Sequence, residues 1–149
     1  MGEFSEGNPH GKGTFYWNRT NFYEGNFVKG NINGKGVITW ENQVTYKGDF
    51  LNGVMHGKGI HRKNPNIAWE DEELWKKDQY YMGEMMYGKI SGEGVFYWPD
   101  GKRFEGSFLD GKMNGDGIKY NQEGKSIERG SWKEGKRVIK TTEPNSNLK

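Results

Sequence analysis

The chain reads as an all-β protein: an elongated, single-layer antiparallel meander of β-hairpins. Three observations predict this. Tyr23, Gly25 and Phe27 are followed by Gly30, by the pair Gly34 and Gly36, and by Trp40, and the pattern restarts at Tyr46, Gly48 and Phe50. A fixed period of this length marks a repeat array. Hydrophobic residues are 32% of 149, too few for a two-layer core, whereas aromatics reach 15% and glycines number 24; rings laid over glycine backbone bury apolar area without many aliphatic side chains. Finally, in Tyr23 to Phe27 the aromatics and Gly25 fall on one face of a strand, with Glu24 and Asn26 on the other, the alternation of a half-buried strand.

Taken in order, the first copy has Gly2, Phe4, Gly7, Gly11, Gly13 and Trp17, and the second is Tyr23 to Trp40. The third runs from Tyr46 through Gly48, Phe50, Gly53, Gly57 and Gly59 to Ile60. The fourth has Tyr81, Gly83, Met85, Gly88, Gly92, Gly94 and Trp98; the fifth has Phe104, Gly106, Phe108, Gly111, Gly115 and Gly117. A half-copy with Gly130, Trp132 and Gly135 follows, and residues 138–149 form a polar tail. Residues 1–137 are thus one array of five and a half copies. Val28 to Asn33 reads as a glycine-containing hairpin loop, with the return strand running from Gly34 to Trp40. The residue after each Gly-x-Gly is Thr14, Val37, Ile60, Val95 or Ile118, all β-branched and suited to strands. Turns such as Pro99-Asp100-Gly101 join successive hairpins. If each ring lies flat over a neighbouring glycine, truncating Phe27 or Phe50 to Ala costs about 3 kcal/mol.

Two places break the period. Gly106 to Gly130 is one residue too long, which a bulge or a longer turn absorbs. The larger break is an insertion at 63–79, where Asn64-Pro65-Asn66 signals a turn. Trp69 to Lys77 suits two helical turns, acidic at the start and basic at the end; an extended loop is the other reading. Six residues apart, Trp69 and Trp75 would not share one helical face.

Together the glycine and aromatic positions resemble the MORN repeat family, Y-x-G-x-F-x-x-G-x-x-x-G-x-G, over Gly2 to Gly135. The departures are Met85 for the second aromatic, Glu128 for the first aromatic of the half-copy, and the insertion. The resemblance implies an elongated hairpin array used for binding or scaffolding. Family members occur in radial-spoke heads of axonemes, in parasite cytoskeletal assemblies, in junctional membrane proteins and beside lipid-kinase or methyltransferase domains. By that resemblance the chain is expected to be a non-enzymatic interaction scaffold of a cytoskeletal assembly, such as a ciliary or flagellar axoneme.

Catalytic and cofactor chemistry finds little support. No cysteine is present to build a thiolate metal site or a disulfide. His10 and His56 share a repeat position with Asn33, Ser91 and Asn114, which a polar turn residue explains; His61 stands alone. Gly7 to Thr14 departs from a nucleotide-binding loop, with three residues between its glycines and Gly13 after Lys12. The run Glu70 to Glu73 reads as a solvated face. No cofactor or metal is expected. A net charge of +2 argues against nucleic acid as a partner. Asn18-Arg19-Thr20 matches a glycosylation acceptor, but no secretory signal or apolar run of membrane-spanning length accompanies it. A cytoplasmic, cytoskeleton-associated protein is expected.

Partner-binding candidates are the aromatic row Tyr23, Phe27, Trp40, Tyr46, Phe50, Tyr81, Trp98, Phe104 and Phe108, because an uncovered sheet should leave its aromatic face open to a peptide or helix. Trp69 and Trp75 join them, since no repeat rule requires either; the competing reading folds both back as a lid on the sheet. The alternative function is attachment to anionic phospholipid through Lys133, Lys136, Arg137 and Lys140. Lys12, Lys35 and Lys58 give way to Glu93 and Asp116 at the same repeat position, so no basic stripe is continuous. An exposed sheet edge at the start of the array allows homodimerisation or edge-to-edge docking.

Overall fold

The structure is a computed structural model that describes residues 2–5, 7–41 and 44–138, with side-chain detail from His10 onward. The polar tail beyond Val138, Lys140 included, lies outside the described residues. The strands are β1 (Gly2–Ser5), β2 (Asn8–Tyr16), β3 (Phe22–Val28), β4 (Asn31–Trp40), β5 (Val44–Leu51) and β6 (Val54–Arg62), then β7 (Tyr80–Met86), β8 (Lys89–Tyr97), β9 (Arg103–Leu109), β10 (Lys112–Tyr120), β11 (Ser126–Lys133) and β12 (Lys136–Arg137). They form one open antiparallel sheet in strictly sequential order. At ~4.8 Å per strand its length is about 50 Å.

Glycine sets the register. Gly2, Gly13, Gly25, Gly36, Gly48, Gly59, Gly83, Gly94, Gly106, Gly117 and Gly130 pair strand by strand into a row that crosses β1 to β11. A Cβ added at Gly25, Gly48 or Gly83 would stand 2.6, 2.7 and 2.7 Å from the hydroxyl of Tyr23, Tyr46 and Tyr81, respectively. The rings thus occupy the space that side chains would need, and rings and glycines are two halves of one packing device.

The hairpin loops are shorter than the sequence suggests. Val28 pairs with Asn31, so only Lys29 and Gly30 form the turn and the return strand begins at Asn31, not Gly34. Both residues have positive φ, 50° and 87°, and the same left-handed pair recurs at Asn52-Gly53, Tyr87-Gly88, Asp110-Gly111 and Glu134-Gly135. Such two-residue turns match the twist of the flanking strands. Register shifts beyond them, as between Gly25 and Phe27, take up the residues assigned to the longer loop. The long spacing before Gly130 resolves as expected: Lys119 pairs with Glu128 and Tyr120 with Ser126, leaving Ile127 as the extra residue.

Each turn is also tied to the hairpin before it. Gly53, Gly88, Gly111 and Gly135 donate N–H groups to the carbonyls of Ile32, Met55, Ile90 and Met113. Asn33 Oδ1 accepts the N–H of Asn52, His56 Nδ1 that of Tyr87, and Ser91 Oγ that of Asp110, each at 3.1 Å. At Asn33, His56 and Ser91 the polar residue before Gly-x-Gly therefore works as a latch between repeats, and His56 needs no catalytic reading.

The insertion is not two helical turns. It contains the single turn α1 (Glu72–Trp75), with acidic residues first and no basic residue in the last turn. An Asx turn at Asn64 (Asn66 N–H to Oδ1, 3.0 Å) starts the excursion. Because β6 and β7 still pair directly, Gly59 with Gly83, the insertion does not interrupt the sheet.

Candidate functional site

The two faces of the sheet carry different chemistry. On the first, Tyr23, Phe27, Tyr46, Phe50, Tyr81, Phe104 and Phe108 are buried, together with Met85 and Trp132. Their rings meet edge to face: Tyr23 with Phe27 and Phe50, Tyr46 with Phe50, Tyr81 with Phe108, and Phe104 with Phe108 and Trp132, at centroid distances of 4.8–5.5 Å. Tyr23 and Tyr81 reach the second aromatic of the next copy and Phe104 reaches Trp132 of the half-copy, while after Tyr46 the buried Met85 holds that place, so the packing crosses repeat boundaries. Edge-to-face pairs satisfy the ring quadrupoles, and the closed ladder corrects the expectation of an open aromatic groove. These seven residues are a core. Trp40 and Trp98 are only partly buried beside it; Trp40 meets Trp17 in a tilted contact at 5.0 Å.

The tyrosine hydroxyls complete the core. They donate to the carbonyls of Asn26 (2.9 Å), Asp49 (3.1 Å) and Glu84 (2.8 Å). Burial pushes Tyr23 and Tyr46 up to about 12, and Tyr81 is raised for the same reason, so all three remain donors at ordinary pH. Where Phe104 takes this position, no hydroxyl bond is made. At the far end Glu128 replaces the aromatic and pairs with Lys119 at 3.7 Å, closing the ladder with an ion pair.

The outer face carries the insertion. Trp75 is buried, and its indole N–H donates to the Trp69 carbonyl at 3.0 Å. Trp69 donates to Thr45 Oγ1 on β5 at 3.0 Å. The two rings meet edge to face at 5.3 Å, a contact that needs Trp69 to lie in the turn ahead of α1 rather than on it. Below them Arg62 is buried, its guanidinium 4.2 Å from the Trp69 ring and 5.3 Å from that of Trp75. It donates to the carbonyls of Asn64 and Ile67, while Nη1 has no partner. Burial lowers the Arg62 pKa, against the opposing charge of Asp78. Trp75 also meets Tyr80 edge to face, and Tyr80 stacks on Tyr97 at 4.3 Å. The insertion is a lid with its own small core, on the face opposite the ladder.

Beyond the lid the outer face is open. One row crosses it as Glu24, Val37, Lys47, Ile60, Met82, Val95, Glu105, Ile118 and Arg129. Beside it Lys12, Lys35 and Lys58 lie toward β2, and Glu84, Glu93 and Asp116 toward β11. Grooves line this face among the described residues: one of about 410 Å³ has Lys12, Lys35, Lys47 and Val37 in its walls, one of about 600 Å³ has Asp49, Lys58, Glu84 and Met86, and one of about 650 Å³ has Glu93, Glu105, Asp116 and Ile118. Sequence reasoning noticed the change from lysine to carboxylate but not that register aligns it along one face. Strict alternation from the glycine row was the signal that would have found it.

Lys133, Lys136 and Arg137 are exposed at the β11–β12 end, where Lys133 pairs with Lys136 and Arg137 donates to the Arg129 carbonyl at 2.9 Å. Among the described residues no three His, Asp or Glu side chains come together as a metal site, and no helix is long and apolar enough to cross a membrane.

Comparison with curated proteins finds no match. The MORN repeat matches residues 1–19, 23–45, 46–63, 81–103 and 104–124, and the two breaks, at 20–22 and 64–80, fall on a hairpin connection and on the lid segment. MORN repeats are found in proteins with protein or membrane-lipid interaction roles. With its register-setting glycines and a matching segment in each of five copies, the chain belongs to the MORN repeat family.

Proposed function

We propose that this protein is a non-enzymatic interaction scaffold of a cytoskeletal assembly, with a ciliary or flagellar axoneme as the setting. The observation that carries the scaffold reading is the continuity of the sheet. Twelve strands pair in sequence without a break, and the outer face presents apolar and charged rows along that length. A rigid, ridged surface of this kind suits partner binding, because little ordering entropy is lost on docking. The axonemal setting is drawn from the family. In ciliated cells, a tagged chain should remain with detergent-extracted axonemes and leave them at high salt. Recovery in the detergent-soluble membrane fraction would sink this reading.

Lys133, Lys136 and Arg137 support a second reading, attachment to anionic phospholipid, with three exposed cations at one end of the array. Co-sedimentation with phosphoinositide-containing vesicles separates the two. Binding that survives near-physiological salt favours the membrane; binding confined to low salt is weak adhesion.

A further inference from the structure

The outer face is complementary to itself. Consider a second copy laid against it, with strand order reversed about a two-fold axis parallel to β7. Strand β6 then faces β8, β5 faces β9, β4 faces β10 and β3 faces β11. In the central row Glu24 meets Arg129, Lys47 meets Glu105, Val37 meets Ile118, Ile60 meets Val95 and Met82 meets its own copy. In the next row Lys35 meets Asp116 and Lys58 meets Glu93, while Asn26 and Asp49 meet Ser131 and Ser107. Nearer the turns, Leu51 meets Leu109 and Met86 meets itself; all three are exposed, at 42%, 54% and 45%. Glu84 on its own copy is the one like-charge meeting in the two charged rows. Reversing the order about any other strand misaligns these pairs. Reversal about β6, for example, sets Lys58 on Lys58 and Glu24 on Glu105.

We infer that this face is a self-association surface, on which two copies pack sheet to sheet with reversed strand order, the basic half of each on the acidic half of the other. Aligned packing of two twisted sheets is the ordinary geometry of a β-sandwich, and an isologous interface requires this kind of self-complementarity. The lid stands over Thr45, Arg62 and Tyr80, toward the strand ends away from the hairpin turns, and reaches the central row at Lys47, whose ammonium lies 5.7 Å from the Trp69 ring. Some of these charges already have partners within the chain, Lys35 with Asp49 and Glu105 with Arg103. The pairing therefore adds alignment more than raw affinity.

A charge swap tests the inference directly. In sedimentation velocity the unaltered chain should dimerise with increasing concentration and more weakly at high salt. The double variant Lys35→Glu, Lys58→Glu should associate at least about tenfold more weakly, as should Glu93→Lys, Asp116→Lys. Mixed together, the two variants regain all four pairs and should form a heterodimer. Glu84→Gln should tighten association. Thermal melts establish that each variant is folded, and recovery on mixing cannot arise from misfolding. A chain that stays monomeric at every accessible concentration overturns the inference. So do variants that dimerise as well alone as together.

Discussion

Phe15-Tyr16-Trp17 and Phe96-Tyr97-Trp98 are the same tripeptide at the same repeat position, yet they end in different environments. In the first copy the three side chains are 48%, 59% and 44% exposed; in the fourth none is exposed. The internal geometry is shared. Phe15 meets Trp17 edge to face at 5.2 Å, and Phe96 meets Trp98 likewise at 4.9 Å. What differs is the surroundings. Tyr97 stacks on Tyr80, which Trp75 of the lid braces, and Trp98 carries the Lys119 ammonium over its ring at 5.1 Å. Among the described residues the ring contact of Tyr16 is the tilted one with Phe22. Local sequence thus sets the shape of the cluster, while neighbouring strands and the insertion set its burial.

The strongest way to break this contrast is to remove its cause. Trp75→Ala leaves a cavity under the lid and frees Tyr80, so unfolding in urea should show a loss of about 3–5 kcal/mol, and Tyr97, the one member of the triplet on the lid face, should become as exposed as Tyr16. A loss below about 1 kcal/mol would mean that the lid does not support Tyr97.

The third copy offers a test of intermediate size, because His61 holds the place of Phe15 and Phe96. Register sets it between the strands of Tyr46 and Tyr81, and burial, with Lys63 nearby, pulls its pKa from 6.5 down to about 4. A histidine depressed on folding gives stability that is complete above its unfolded pKa and is lost as pH falls toward the folded value. Between pH 6.5 and pH 4 the protein should lose about 2–3 kcal/mol from this group. His61→Phe should flatten that part of the profile, and an unchanged acid slope in urea titrations would assign it elsewhere.

The smallest effects come from the triplets themselves. Tyr97→Ala loses a stacked ring and should cost about 2 kcal/mol, whereas Tyr16→Ala should change stability by about 0.5 kcal/mol. Equal melting shifts for the two would show that the difference in exposure carries no energetic weight.

Much of the fold was legible because the repeat encodes a local rule. Gly36 must be glycine because the Tyr23 ring lies there, and the same pairing is written again at Gly59 and Gly94. The two-residue turns were misjudged although Asn52-Gly53 and Asp110-Gly111 carry the usual signal; the remaining glycines of each loop hid it by belonging to the return strand. Of the candidate binding residues, the buried aromatics were correctly grouped but assigned an open face, since nothing in a strand's own pattern says that the next copy's ring will close over it. Trp69 and Trp75 could not be placed from spacing, because their contact depends on a turn between them and on Arg62 beneath.

The sequence by itself determined the number of hairpins, their register and the face that carries the rings, since each follows from glycine and aromatic spacing within a single copy. Only the tertiary structure decided that the ladder is closed, that the lid folds onto the opposite face, and that lysines and carboxylates from separate copies form one polarised surface. Those outcomes depend on which side chains meet across repeat boundaries, and contact between distant residues is not written in the spacing of either one.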